Sequence, residues 1–280
     1  MTQTEHPPRF GARVTSLRCP KAVRSTLVVL ILAMAAVMAV VHSAGAQEAA
    51  APPGPQLIVT PYLWLSGINT TIKTPLPRAP SVNSDVGAFA LLGHLNGVPV
   101  TGSAELRDGP FSLLGDVLHV PVGTDITTRN VFYQGGNAAL TTNTGTAIFF
   151  YHALDQPLQE LDVGGGFRTW GFSSGLTLNG GLLPTANVSR SAGWADPLLA
   201  ARYHRAFSDG FGLTVYSDFG GFGVGAHVDW QLIGTLDYAA KSWLTLRLGY
   251  RSLNFNYSTA DNVGFNVHMK GPIVAATFRF

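Results

Sequence analysis

Beyond residue 46 the chain has no apolar run long enough to cross a bilayer as a helix, yet segment after segment alternates apolar and polar residues with period two. In Val224–Tyr238 the even positions carry Val224, Ala226, Val228, Trp230, Leu232, Leu236 and Tyr238, and the odd ones His227, Asp229, Gln231, Thr235 and Asp237. Successive side chains of a strand point to opposite faces, so this segment has one apolar and one polar wall. Leu244, Leu246, Leu248 and Tyr250 oppose Thr245, Arg247, Gly249 and Arg251 in the same way; Phe211, Leu213, Val215 and Phe219 oppose Thr214, Tyr216 and Asp218. Backbone groups in hydrocarbon must be satisfied within the fold, so strands that meet lipid do so as a closed barrel. A soluble sandwich with one wet face is the other reading of the same alternation.

Both ends of the chain favour the barrel. Arg13, Arg18, Lys21 and Arg24 precede the apolar run Thr26 to Val41, and Ser43-Ala-Gly-Ala-Gln47 follows it, the pattern of a secretory signal peptide cut after Ala46. The run is 16 residues, short of the roughly 20 a spanning helix needs. Its removal takes away Cys19, the only cysteine, so neither a disulfide nor a thiolate metal site is expected. Residues 1–46 carry five bases and one acid, so formal charge falls from +2 to −2, and no basic cluster remains to hold a nucleic acid. Gln47–Pro55 reads as a flexible lead-in and residues 56–280 as one barrel domain. At the other end, Pro272, Val274, Ala276, Phe278 and Phe280 share one face and Thr277 and Arg279 the other. Phe278 and the terminal Phe280 resemble the signal read by the barrel-assembly machinery of Gram-negative bacteria.

Ten strands are expected, at 56–66, 98–106, 111–121, 144–154, 159–172, 196–207, 211–219, 224–238, 242–256 and 265–280. This is an antiparallel up-and-down transmembrane barrel with an even strand count, eight or twelve being the alternatives if the loops at 67–97 and 122–143 behave otherwise. Short turns fall at Arg107–Pro110, Asp155–Pro157, Ser208–Gly210 and Ala239–Lys241, and long connections at 67–97, 122–143, 173–195 and 257–264. Gly220-Gly-Phe-Gly223 is one tight outer connection; with no helix after it, it lacks the geometry of a phosphate loop and reads as a hairpin. The parity of 111–121 and 144–154 is mixed.

Pro61-Tyr-Leu-Trp64, Glu105-Leu-Arg107, Trp194-Ala-Asp-Pro197 with Arg202, Asp218-Phe-Gly-Gly-Phe-Gly-Val-Gly225 with Trp230, Gly249-Tyr-Arg251 with Tyr257, and Gly271-Pro272 together resemble a family of proteobacterial outer-membrane barrels. That family sits with the small OmpW-like and OmpA-like barrels. The resemblance implies the fold and an outer-membrane location, with membrane lipids as surroundings, far more firmly than any activity.

Parity places a luminal charge network inside: acids Glu105, Asp116, Asp162, Asp218, Asp229 and Asp237, bases Arg107, Arg168, Arg202, Arg247, Arg251 and Arg279, and His227 beside Asp229. Charges in so narrow a lumen are expected to pair across it. Luminal Gly164, Gly166, Gly225 and Gly249 are expected to leave space between them. Passive transport of small or apolar solutes, or envelope integrity, is the expected function. The alternative is a structural or adhesive barrel that binds external ligands through its outer loops. A lipid-modifying enzyme would need a nucleophile and base together; His227 with Asp229 is the nearest approach, and no catalysis, metal or cofactor is expected. The signal-peptide reading predicts that protein recovered from membranes begins at Gln47, which N-terminal sequencing reads directly.

Overall fold

A computed structural model describes residues 54–73, 82–87, 93–127, 132–207, 210–258 and 264–280. The expected signal peptide, its cleavage site, most of the lead-in, and Ser208 and Asp209 of one expected turn lie outside the described residues. The strands are β1 (Gln56–Trp64), β2 (Gly67–Lys73), β3 (Val82–Val86), β4 (Val100–Asp108), β5 (Phe111–Ile126), β6 (Tyr133–Gln156), β7 (Gln159–Gly180), β8 (Ala186–Ala206), β9 (Phe211–Gly221), β10 (Val228–Lys241), β11 (Leu244–Ser258) and β12 (Gly264–Arg279).

Each of β4 to β12 pairs antiparallel with its sequence neighbour, β1 pairs with β4, and β1 returns to β12, which closes a ten-strand barrel. Closure runs from Ile58 opposite Arg279 to Trp64 opposite Ile273, and the Phe280 N–H donates to the Leu57 carbonyl at 2.9 Å. A closed sheet leaves no unpaired edge in the lipid. β1 breaks at Leu65-Ser66, and the chain resumes along β12 as β2, which carries β3 as a hairpin above the rim. The expected first strand at 56–66 is therefore shorter, and the segment 67–97 does hold a hairpin.

The alternation sorts the side chains as expected for a wall with lipid outside. Leu106, Phe111, Leu113, Val117, Phe149, Phe167, Leu199, Leu236, Leu248 and Tyr250 are exposed on the outer face, and their strand neighbours turn inward, buried or half-buried. The mixed parity of β5 and β6 has a simple cause. Leu114, Leu118, Ile148 and Phe150 are apolar and face inward, where Phe150 packs edge-on to Tyr216 and Leu118 joins a core of Tyr62, Trp64, Trp170 and Leu253. The lumen has its own hydrophobic core, so apolar character alone does not mark the lipid face.

Two expected loops are strand instead. Residues 122–143 and 173–195 mostly continue β5 to β8, making β6 24 residues long where about 9–11 would cross the lipid. Outward positions of this extension are polar; His119 bonds Asn143 at 2.6 Å and Thr177 donates to Asn187 at 2.9 Å. The rim is low at the other side. β9 ends at Gly221 and β10 starts only at Val228, so the expected strand at 224–238 loses its first four residues to a turn in which Gly221, Phe222 and Gly223 have positive φ. Above Leu198 no β9 residue pairs with β8.

The inward glycines of β7 and β11 do not serve as empty space. A Cβ on Gly166 would stand 1.8 Å from the Ala147 carbonyl oxygen, and one on Gly249 1.9 Å from that of Gly234, so both let the neighbouring backbone approach where a side chain cannot. Gly225 lies in the turn, against Trp194 and Asp196. Gly166→Ala should therefore destabilise the barrel by about 1–3 kcal/mol or more through overpacking. Gly175→Ala, on the same strand with open space around it, should change stability by less than about 0.5 kcal/mol. Urea unfolding in micelles distinguishes the two.

Candidate functional site

Three layers fill the lumen from the short-turn end to the long-hairpin end. At the short-turn rim Arg107, last but one in β4, holds Asp155 and Glu160 at 3.1 Å across the β6–β7 turn. Just inside, Arg202 of β8 takes Glu105 with two guanidinium nitrogens at 2.5 and 2.7 Å and Asp162 with its Nε at 2.7 Å; its guanidinium lies 5.0 Å over the Phe150 ring. Asp162 also bonds His152 at 2.5 Å, which is fully enclosed. On the opposite wall Asp237 accepts from Thr214 and Thr235, with Arg247 Nε 3.7 Å away.

The middle layer is one connected ring. Arg168 of β7, 0% exposed, donates to Asp229 at 2.5 Å, Asp218 at 2.6 Å and Thr146 at 3.1 Å. Gln231 donates to Asp218 at 3.2 Å and accepts from Arg251 Nε at 2.9 Å. Arg251, 1% exposed, donates to Tyr62 at 2.7 Å and Asp116 at 3.2 Å, and Tyr62 donates to Asp116 at 2.9 Å. The chain of bonds thus crosses from β7 to β9, β10, β11, β1 and β5. Carboxylates that each meet an arginine fork and a further donor recover the cost of leaving water, which a lone buried charge does not. Arg251 also lies 4.7 Å over Trp64, so its upper face meets an aromatic quadrupole.

Above the ring comes an aromatic layer. Trp170 stacks on Phe172 and Trp194, Phe255 tilts against all three, and Trp194 lies parallel to Tyr257 at 4.1 Å. The two layers are joined, since Trp170 Nε1 donates to Asp229 at 2.9 Å. Trp194 donates to Asp196, and Asp196 accepts the Ala226 N–H, which ties the low β9–β10 turn to β8.

Every one of the twelve charges read from parity faces the lumen, and most are paired there; Arg279 bonds only Thr245, at 2.8 Å. His227 does not join them. It lies in the turn before β10 starts at Val228, and it is exposed with Nε2 bonded to Ser258 at 2.6 Å, so no base–carboxylate pair with Asp229 forms. Phe278 is buried against Leu244 and stacks on Trp243, whereas Phe280 is exposed. Sequence reading missed Tyr62, Gln231, Trp170, His152, Asp155, Glu160, Asp196 and His204 as partners. The even-position face of β1, with Ile58, Thr60 and Trp64, contained the signal for Tyr62.

Below the ring lies a cavity of about 390 Å³. Gln56, Arg107, Glu160 and Arg279, at or next to the strand ends on the short-turn side, line its mouth; Tyr62, Asp116, Gln231 and Arg251 form its inner end. A second, apolar cleft of about 60 Å³ sits in the wall where β1 loses β4 beyond Pro61, lined by Leu63, Leu65, Ile68, Leu95, Leu118 and Leu140 among others. Removing Arg168 alone leaves two buried carboxylates unanswered, so Arg168→Leu should cost about 3–5 kcal/mol. Adding Asp218→Asn and Asp229→Asn should recover much of that loss, read from tryptophan-monitored urea unfolding.

Neither a family model nor a curated protein matches the sequence. Among solved structures, the outer-membrane protease OmpT of Escherichia coli is similar with a TM-score of 0.51 and 10% identity, over 83% of this chain and 99% of that one. The attachment invasion locus protein Ail of Yersinia pestis gives 0.38 and 11% identity over 82% and 100%, and the toluene transporter TodX of P. putida 0.36 and 9% over 82% and 90%. At 10% identity what OmpT shares with this chain is the fold, the closed antiparallel barrel of bacterial outer-membrane proteins.

Proposed function

We propose that the protein is a non-conducting, non-enzymatic barrel of the outer membrane. The ring and the aromatic layer of its interior are given to stability and closure, and its outer working surface is the tall β5–β8 wall. The observation that carries this reading is the ring from Arg168 to Tyr62, continuous across the lumen and roofed by the Trp170 layer. A ten-strand barrel is little wider than the eight-strand size that its own side chains fill, so a spanning network of this kind supports a closed axis. In this reading the outward apolar band meets the membrane lipids, and β12 with Phe280 serves the assembly machinery. The wall beyond the band, rich in Thr, Ser and Asn, suits contact with polar material outside the cell.

A second reading is favoured by the apolar cleft beside β1. Small apolar molecules would pass sideways through the wall rather than along the axis, with Leu118 and Leu140 as the lining that decides entry. Leu118→Asp would then slow uptake of a small aromatic hydrocarbon by cells without opening an ionic path.

Planar-bilayer recording tests the first reading. The folded protein should give no discrete conductance steps, and the double variant Arg168→Ala with Asp229→Ala, which empties the centre of the ring, should give them. Steps in the unaltered protein would refute the closed-axis reading.

A further inference from the structure

We infer that the cavity in the short-turn half of the lumen is a binding site for a small organic anion, held at its carboxylate or phosphate group by Arg247 and Arg279. The acids that line this cavity are already answered: Glu105 by Arg202, Glu160 by Arg107 and Asp116 by Arg251. The two arginines of the β11–β12 wall are answered less fully: Arg247 has a loose ion pair with Asp237 that makes no hydrogen bond, and Arg279 has no ion pair among the described residues. Arg247 Nε is buried and donates to nothing, and at 3.7 Å Asp237 is beyond hydrogen-bond reach, its two oxygens accepting from Thr214 and Thr235. Arg279 gives one N–H to Thr245, and its other side-chain nitrogens have no acceptor among the described residues.

The register brings these donors together. Arg247 is opposite Ala275 and Thr245 is opposite Thr277, so both hydroxyls lie on the same inward face between the levels of Arg247 and Arg279. A planar guanidinium fork matches the two oxygens of a carboxylate or phosphate; Thr245 holds the Arg279 fork in place, and Thr277, bonded to Thr60, presents a hydroxyl in the cavity lining beside it. The charge in the cavity is thereby polarised: the side made by β4 to β8 is saturated with ion pairs, and the β11–β12 side offers unmet cationic donors. Ile58 and Ile233 give part of the lining an apolar surface, which favours an organic body over a bare inorganic ion. About 390 Å³ is within the usual size of a small-molecule site.

The ring closes the inner end, so a ligand enters and leaves by the same mouth, beside the short turns. In an outer-membrane barrel that mouth faces the periplasm. Two sources there carry this chemistry, a soluble phosphate or carboxylate and the headgroup of an anionic phospholipid.

The test is a titration of the full chain, purified from membranes in neutral detergent, with glycerol 3-phosphate and with succinate. The readout is the Nε–H resonance of Arg247 in ¹⁵N-labelled protein, assigned by its disappearance in Arg247→Lys. A saturable shift is expected, weakened at least about tenfold by Arg279→Gln and left unchanged by Arg190→Gln, an exposed arginine at the long-hairpin end of β8. Phosphatidylglycerol added to the micelles should displace the soluble probe if the source is a lipid headgroup and leave it bound if the source is a solute. No saturable shift with glycerol 3-phosphate, succinate or phosphatidylglycerol overturns the site. So does unweakened binding, followed calorimetrically, in a folded Arg247→Gln, Arg279→Gln double variant. A protein that is silent in bilayers yet binds none of these probes would sink the anion site and leave the closed-axis reading untouched.

Discussion

A guanidinium with no exposure to water survives inside a barrel only where other groups answer its charge at hydrogen-bonding distance, and Arg168 sets that condition for the rest of the lumen. Its demand for Asp218 and Asp229 brings β7, β9 and β10 to one level, and Gln231 carries the linkage on to Arg251, Tyr62 and Asp116. The aromatic layer follows from the same demand. Trp170 caps Asp229, and by excluding water above the ring it keeps the ionic contacts in a medium where they are strong. From above, the ring is the ceiling that closes the inner end of the cavity.

Much of this architecture is legible in the amino-acid order. Strand positions, the short turns and the inward placement of twelve charges follow from alternation, because a one-residue slip would turn every lipid-facing side chain inward. Who pairs with whom is not legible. Asp218 and Asp229 share Arg168 because β9 and β10 meet at a particular stagger, and stagger depends on strand tilt around the whole barrel rather than on any local run.

Three other gaps have local causes. Leu114, Leu118, Ile148 and Phe150 confuse the alternation because the lumen is packed like a protein core. The polar stretches 122–143 and 173–195 resemble loops in composition because both faces of a sheet standing beyond the lipid meet water, and hydropathy then has no period to report. His227 fits the odd-position pattern of β10 perfectly well, but the turn at Gly221, Phe222 and Gly223, all with positive φ, stops the pairing with β9 at Val228. Period two continues through a turn on paper after the strand has stopped.

The bridge between Tyr62 and Arg251 joins residues 189 apart in the chain, and the Thr60–Thr277 contact joins residues 217 apart. Such contacts appear only after nearly the whole chain has been placed, and ordering a loop that long must precede any reward from closing it. Neighbouring hairpins can form early, but the interior cannot be wired until β12 docks on β1. The last strand is therefore also the last step: a barrel interrupted before it would hold Tyr62 and Asp116 on one side of the seam and Arg251 on the other, exposing charges to lipid or water. The burial that makes the finished molecule stable is the same feature that makes every unfinished one dependent on help.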